Sequence, residues 1–359
     1  MSQKQCNETK PAAPKSPVNS SGLGFGGGRF LGLVFLGGSV YKATASNAGR
    51  ALPWLRPSRR GAETLTVGNL SMTNLLRPDN PDLRAGLYRL YRDFFHRAER
   101  KRRWSLADDV PWCQVNRAMD PAVADVVESF CAVELYLPDY IAQALPLIRT
   151  NKGWAWFHAN WGYEESKHSL ALSDWLLRSG ARTEEQLADL EATVFAHEWQ
   201  LPHDSSVGMV IYAMVQELAT WVHYRNLQRR VDEWGDPALS RLLGLIAVDE
   251  RAHHAFYRSV VQLLLGLDRQ GTLEELRRVL MTFDMPAVHL LADSRLRVEA
   301  IKRLGVFSED DFLHKVYQPV LDTLGVDHRE MRQSNMNRKS TATVSGRGCS
   351  GTCVQSRFK

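Results

Sequence analysis

Two stretches of the 359-residue chain read Glu-x-x-His: Glu165-Ser-Lys-His168 and Glu250-Arg-Ala-His253. On a helix, positions i and i+3 share a face, so each pair can aim a carboxylate and an imidazole at one point. A single pair is weak evidence of a metal, because surface helices carry the same spacing as a solvated ion pair. What precedes each pair strengthens the reading. Glu134 stands in Phe-Cys-Ala-Val-Glu-Leu-Tyr-Leu-Pro-Asp-Tyr, and Glu217 in Ile-Tyr-Ala-Met-Val-Gln-Glu-Leu-Ala-Thr-Trp. A carboxylate among Val133, Leu135, Met214 and Val215 is costly to bury without a cation. The chain therefore offers Glu134, Glu165, His168, Glu217, Glu250 and His253 in a twice-repeated order. Six ligands for two ions leave coordination positions open, as dioxygen activation requires. The oxygen-rich set suits iron or manganese better than zinc.

Such a set needs long helices to hold it. Apolar positions Leu87, Leu90, Tyr91 and Phe94 predict a helix from Asp82 to about Arg103. Asp120-Pro121 opens a second, running to about Arg149 with a bend at Pro138. Asn151 caps a third that ends at Leu177 before Ser179-Gly180. A shorter helix follows Thr183 to about Glu198. Ser205 or Ser206 begins one running to Arg230, and Asp236-Pro237 begins one running to Leu267. Further helix is expected at 272–304 and 308–323. No segment of 82–325 alternates like a strand. The expectation is an all-α protein: a ferritin-like four-helix bundle with additional flanking helices. There, one Glu from each of two helices and a Glu-x-x-His from each of the others point inward. Glu164 and Asp249 each precede a ligand Glu and could accept the outer ring N–H of the opposite histidine. His254 points about 100° away from His253 and is not expected to join.

Net charge is +5, but residues 1–62 carry +8 and residues 329–359 carry +6, which leaves −9 between them. The basic character belongs to the two ends and gives the body no claim on nucleic acid or anionic membrane. Residues 1–81 read as a largely unstructured basic extension, Gly-, Ser- and Pro-rich, with a targeting segment such as a plastid transit peptide as an alternative. Residues 82–325 read as the catalytic domain and 326–359 as a second unstructured basic tail. No apolar run reaches the length of a membrane span. The five cysteines show neither zinc-site nor disulfide spacing, which fits a reducing compartment such as the cytoplasm.

Over roughly 82–325 the chain resembles the soluble, plant-type acyl-acyl-carrier-protein desaturases. Glu134-x-x-Leu137-Pro138-x-Tyr140 resembles that family's first-ligand helix, and Trp161-x-x-Glu164-Glu165-x-x-His168 its second. Gln216-Glu217-x-Ala219-Thr220 and Asp249-Glu250-x-x-His253 are similar to the third and fourth. Trp104-x-x-x-Asp108-x-x-Pro111 is similar to a segment upstream. The resemblance implies two iron ions on the six ligands, dioxygen as co-substrate, and insertion of a cis double bond into a carrier-bound saturated acyl chain. It gives Thr220 a part in proton delivery, and Trp104, Asp249 and His168 a part in carrying electrons from ferredoxin. It also implies a homodimer. Leu135 departs from the second Glu common in plant members, which leaves chain length and double-bond position open. The carrier protein is acidic, and Arg97, Arg100, Lys101, Arg102 and Arg103 form the densest basic cluster that could meet it.

Related chemistry is possible on the same ligands. An N-oxygenase shares the metal motif. The small subunit of ribonucleotide reductase needs a radical tyrosine and a longer gap between second and third ligands. An iron-storage subunit would lack the helices after residue 270.

Overall fold

In a computed structural model, residues 76–331 are described. The expected targeting segment and the C-terminal tail lie almost wholly outside these residues. All regular structure among the described residues is helical, with no strand. Helix α1 spans Pro81–Lys101, α2 Pro121–Glu134, α3 Leu137–Ile148, α4 Lys152–Arg178 and α5 Glu184–Phe195. The long α6 (Ser206–Trp234) and α7 (Pro237–Leu267) follow, then α8 (Arg269–Thr282) and α9 (Ser294–Arg303). The last run is α10 (Glu309–Asp311), a π-helical turn (Phe312–Tyr317) and α11 (Gln318–Leu324). None of these helices is long and apolar enough to cross a membrane.

The starts follow the capping residues read from the sequence, with Asn80, not singled out there, as an additional cap. Asn80, Asp120, Asn151, Thr183, Ser205 and Asp236 each accept a backbone N–H of the first turn through the side chain. Between α6 and α7 only Gly235 and Asp236 intervene. Gly235 takes φ +78, a left-handed value glycine tolerates, so the chain reverses at once and the two longest helices pack antiparallel. At the other seam, α1 crosses α4 backbone to backbone. A Cβ on Gly153 would stand 2.7 Å from the Leu87 carbonyl oxygen, so only glycine permits the approach.

Two expectations change. The helix expected over 120–149 does not merely bend but ends at Glu134 and restarts at Leu137. Pro138 has no N–H to continue the ladder. The Val133 carbonyl freed by the break accepts the Tyr136 N–H at 3.3 Å and the Tyr140 hydroxyl at 2.9 Å. That bond gives a local reason for the Leu-Pro-x-Tyr sequence. The helix expected over 272–304 is interrupted between Thr282 and Ser294. Pro286 lies in this gap, and Ala287 (φ 58) and Asp293 (φ 54) take left-handed conformations unusual for residues with a Cβ.

Two apolar clusters fill the bundle. One holds Phe157, Trp161, Val215, Phe256 and Tyr257; the other holds Phe130, Leu172, Trp175, Tyr224 and Leu243. Along α4 and α7 the Glu-x-x-His pairs fall where one cluster gives way to the other.

Asp236 is 1% exposed and serves three elements. It caps α7 through Leu239 N–H at 2.8 Å, accepts the Trp175 indole N–H at 2.9 Å, and accepts Asn116 N–H at 3.1 Å. Replacing it by alanine strands two buried donors and a half-buried one. Asp236→Ala should destabilise the protein by about 3 kcal/mol in urea unfolding, and Asp236→Asn by clearly less.

Candidate metal centre

The bundle brings all six sequence-identified ligand candidates together. Glu134 closes α2, Glu165 and His168 lie on α4, Glu217 on α6, and Glu250 and His253 on α7. All six are at most 8% exposed. One atom each from Glu134, Glu165, His168 and Glu250 gather within 4.8 Å of one another, and so do atoms of Glu165, Glu217, Glu250 and His253. Glu165 and Glu250 belong to both groups, so these two carboxylates can bridge neighbouring ions. Each group then keeps one histidine and one further glutamate of its own.

The atoms that face inward fit cations better than they fit each other. Glu165 Oε1, His168 Nδ1, Glu217 Oε2, Glu250 Oε1 and His253 Nδ1 are buried, and none has a hydrogen-bond partner. The separations are close but poorly aligned: His168 Nδ1 lies 3.2 Å from Glu165 and 3.2 Å from Glu250, and His253 Nδ1 lies 2.9 Å from Glu165 and 3.3 Å from Glu217. Without cations the cluster can limit its charge only by holding protons. Burial, and then the neighbouring Glu165, push the Glu134 carboxyl up to about 8. Burial together with Glu165 and Glu217 pushes Glu250 up well above the carboxylate range. Burial opposes charge on His168 as well, yet Glu165, Asp249 and Glu250 hold its imidazole above its usual range. Divalent ions would replace those protons.

Behind each histidine stands an acid from the opposite Glu-x-x-His helix. Glu164 Oε2 lies 2.7 Å from His253 Nε2, and Asp249 Oδ2 lies 3.5 Å from His168 Nε2. With an acid behind each outer nitrogen, Nδ1 is left to face the cluster. One guanidinium joins the two acids: Arg102 donates to Asp249 Oδ1 at 2.6 Å and to Glu164 Oε1 at 3.2 Å. Arg103 also pairs with Glu164. These contacts correct the expected docking cluster. The Arg102 and Arg103 side chains are only 11% and 25% exposed and are committed inward, while Arg97, Arg100 and Lys101 stay exposed.

Trp104 is buried and donates its indole N–H to Asp249 Oδ2 at 2.7 Å, so Trp104, Asp249 and His168 lie in series. Thr220 lines a pocket whose wall also includes Glu134, Glu165 and Glu250. His254 stays out of the cluster and sits 2.9 Å from the Met214 carbonyl. Two contacts were not singled out from sequence. The Tyr224 hydroxyl donates to Glu134 at 2.6 Å, and the Trp161 indole donates to Glu217 at 2.8 Å. Tyr224 follows Glu217 by seven positions, two helical turns on the same face, and that spacing was the available signal.

The pocket beside the cluster encloses about 720 Å³, its solvent mouth included. Its far wall comes from the irregular segment and α9: Met285, Val288, Leu291, Val298 and Ile301.

The sequence model described as "Fatty acid desaturase" matches residues 133–344, a span that contains all six clustered residues. The chain belongs to this desaturase family. Among its relatives, Mycobacterium tuberculosis DesA1, named as a candidate acyl-acyl-carrier-protein desaturase, is 25% identical over 250 residues, covering 63% of this chain and 72% of its own. A seed-specific chloroplastic stearoyl-acyl-carrier-protein 9-desaturase of Brassica napus is 30% identical over 171 residues, 44% of this chain and 42% of its own. In fold, the desaturase chain is similar to the X-ray structure of DesA2 from Mycobacterium tuberculosis H37Rv. The TM-score is 0.55 at 19% identity, over 70% of this chain and 98% of that one. The family's ferritin-like architecture is thus the architecture of this chain.

Removing Arg102 would leave Glu164 and Asp249 buried without their shared cation. Arg102→Ala should lower stability by roughly 3–5 kcal/mol, measured by denaturant unfolding. Arg102→Lys should recover only part, because a single ammonium cannot span both carboxylates as the fork does.

Proposed function

We propose that the protein is an acyl-acyl-carrier-protein desaturase, and that Glu134, Glu165, His168, Glu217, Glu250 and His253 hold two iron ions. The observation that carries this reading is the convergence of six buried ligand residues, five of them with an inward atom that makes no hydrogen bond, beside a largely apolar pocket. The names of the family and of the relatives support the substrate class. The reaction balances as dioxygen plus two electrons, two protons and a –CH2–CH2– unit giving –CH=CH– and two waters. Bound iron supplies the dioxygen reduction and the oxidising power.

The chain's own residues do the rest. The pocket wall of Phe130, Val133, Met285, Val288 and Leu291 accepts an alkyl chain, excludes water and holds the chain against the acidic cluster. Thr220 puts a hydroxyl in that pocket, one turn beyond Gln216 and Glu217, where it can pass a proton toward the cluster. Trp104, hydrogen-bonded to Asp249, and Asp249, 3.5 Å from His168, give an incoming electron a short line of buried groups to His168. We assign ferredoxin as the electron donor. The exposed Arg97, Arg100 and Lys101, with Arg225, Arg229 and Arg230 on α6, offer basic surface to an acidic carrier protein. We take residues 82–325 as the catalytic domain, working as a homodimer.

Ferrous iron added under anaerobic conditions should bind at about two ions per chain. It should raise the melting temperature, and a chelator should reverse the rise, because the ions bind only the assembled cluster. Stearoyl- or palmitoyl-carrier protein, supplied with ferredoxin, its reductase, NADPH and oxygen, should give a monoenoic acid by gas chromatography. Glu217→Ala should abolish that product and lower the bound iron. Two irons with no unsaturated product would move the protein to another oxygenation chemistry; no iron after reconstitution would overturn the ligand assignment.

A further inference from the structure

The pocket beside the cluster is not uniformly apolar, and its polar side is organised. Gln216, Thr220 and His223 occupy positions i, i+4 and i+7 of α6, so they form one stripe along the helix, and all three line the pocket. Apart from the carboxylates of the acidic cluster, four other polar side chains in its wall are already engaged. The Tyr140 hydroxyl is held by Val133, Tyr224 by Glu134 and the Trp161 indole by Glu217. Arg297 donates to Ser129 at 2.9 Å and to Glu128 at 2.8 Å.

His223 is the most defined member of the stripe. It is 7% exposed. Its ring stacks on Phe307, with centroids 3.9 Å apart and planes 15° apart, and meets the edge of Phe130 at 5.8 Å. These two ring contacts restrict its orientation. Nδ1 lies 2.7 Å from the Ala219 carbonyl oxygen, which can only accept, so Nδ1 carries the hydrogen. Burial holds the imidazole down at about 4, so the ring is neutral at physiological pH. Nε2 is thus a lone-pair acceptor, with no hydrogen-bond partner among the described residues. An unbranched hydrocarbon laid along the stripe would desolvate that nitrogen and give nothing back.

We infer that His223 is a specificity-determining residue whose Nε2 accepts a hydrogen bond from a hydroxyl carried on the acyl chain. The preferred substrate is then a hydroxylated acyl chain rather than a wholly unsubstituted one. His223 stands six residues from Glu217, ~9 Å along the helix axis, so the hydroxyl lies several carbons from the pair that loses hydrogen. The inference rests on the acyl-substrate reading above and names the substrate within it.

The test uses iron-reconstituted protein, with stearoyl-carrier protein set against a positional series of monohydroxystearoyl-carrier proteins. Binding is measured by calorimetry, and kcat and KM separately. Wild type should bind one narrow set of hydroxyl positions at least tenfold more tightly than stearoyl. His223→Phe keeps an aromatic ring on Phe307 and removes the acceptor. It should lose that preference through KM, while stearoyl binds as well as before or better. His223→Gln, which restores an acceptor, should regain part of it. If wild type binds and desaturates stearoyl but prefers no hydroxyl position, the inference about His223 is wrong and the desaturase reading stands. The same holds if His223→Phe shifts every substrate equally. If no carrier-bound chain binds wild type at all, the acyl-carrier reading fails and this inference fails with it.

Discussion

The organising constraint of this molecule is electrostatic: four carboxylates and two imidazoles are held together inside a helical bundle, and five of the six have an inward atom without a hydrogen bond. An interior of low polarity tolerates such a group only if its charge is balanced at close range. Much of the surrounding structure answers that demand. Arg102 lies across the two acids behind the histidines, Trp161 and Tyr224 donate to two of the glutamates, and paired long helices fix the distances. The bundle is regular helix where the cluster sits, on α4, α6 and α7. It is irregular where the pocket needs an apolar wall, between α8 and α9.

The twice-repeated pattern, a single Glu followed by Glu-x-x-His, has a structural counterpart. Each histidine is backed by an acid from the other half, Glu164 for His253 and Asp249 for His168. Neither half is complete alone. Because one guanidinium touches both backing acids, a disturbance at one histidine reaches the other through Arg102. Substitutions on the two halves should therefore combine non-additively.

How far the sequence could be read depended on the range of the interaction. Acids in apolar helical stretches, their i, i+3 spacing and the capping residues are local, and they were enough to indicate the bundle and its six inward residues. The break after Glu134 was half-legible, since Pro138 announces a disturbance but does not say that Tyr140 will take up the freed carbonyl. Arg102 was read as part of a surface charge run because nothing in its neighbourhood reveals acids 62 and 147 residues away. The chemistry of His223 was equally hidden. Its meaning comes from Phe307 and Phe130, which only the folded chain brings to it. The interruption between Thr282 and Ser294 is half-legible too: Pro286 signals a break locally, but not that the segment lines a pocket.

The two-residue junction at Gly235 and Asp236 bears on how the chain folds. A connection this short closes at small entropic cost, so the α6–α7 hairpin is the most local long-helix pairing in the bundle and a natural nucleus. That hairpin already carries Glu217, Glu250 and His253, half of the cluster. The other half comes from α2 and α4, farther away in sequence, and their docking brings like charges together. A divalent ion present at that moment would lower the barrier as well as stabilise the product. The rate at which the protein matures would then depend on metal supply during folding as well as afterwards.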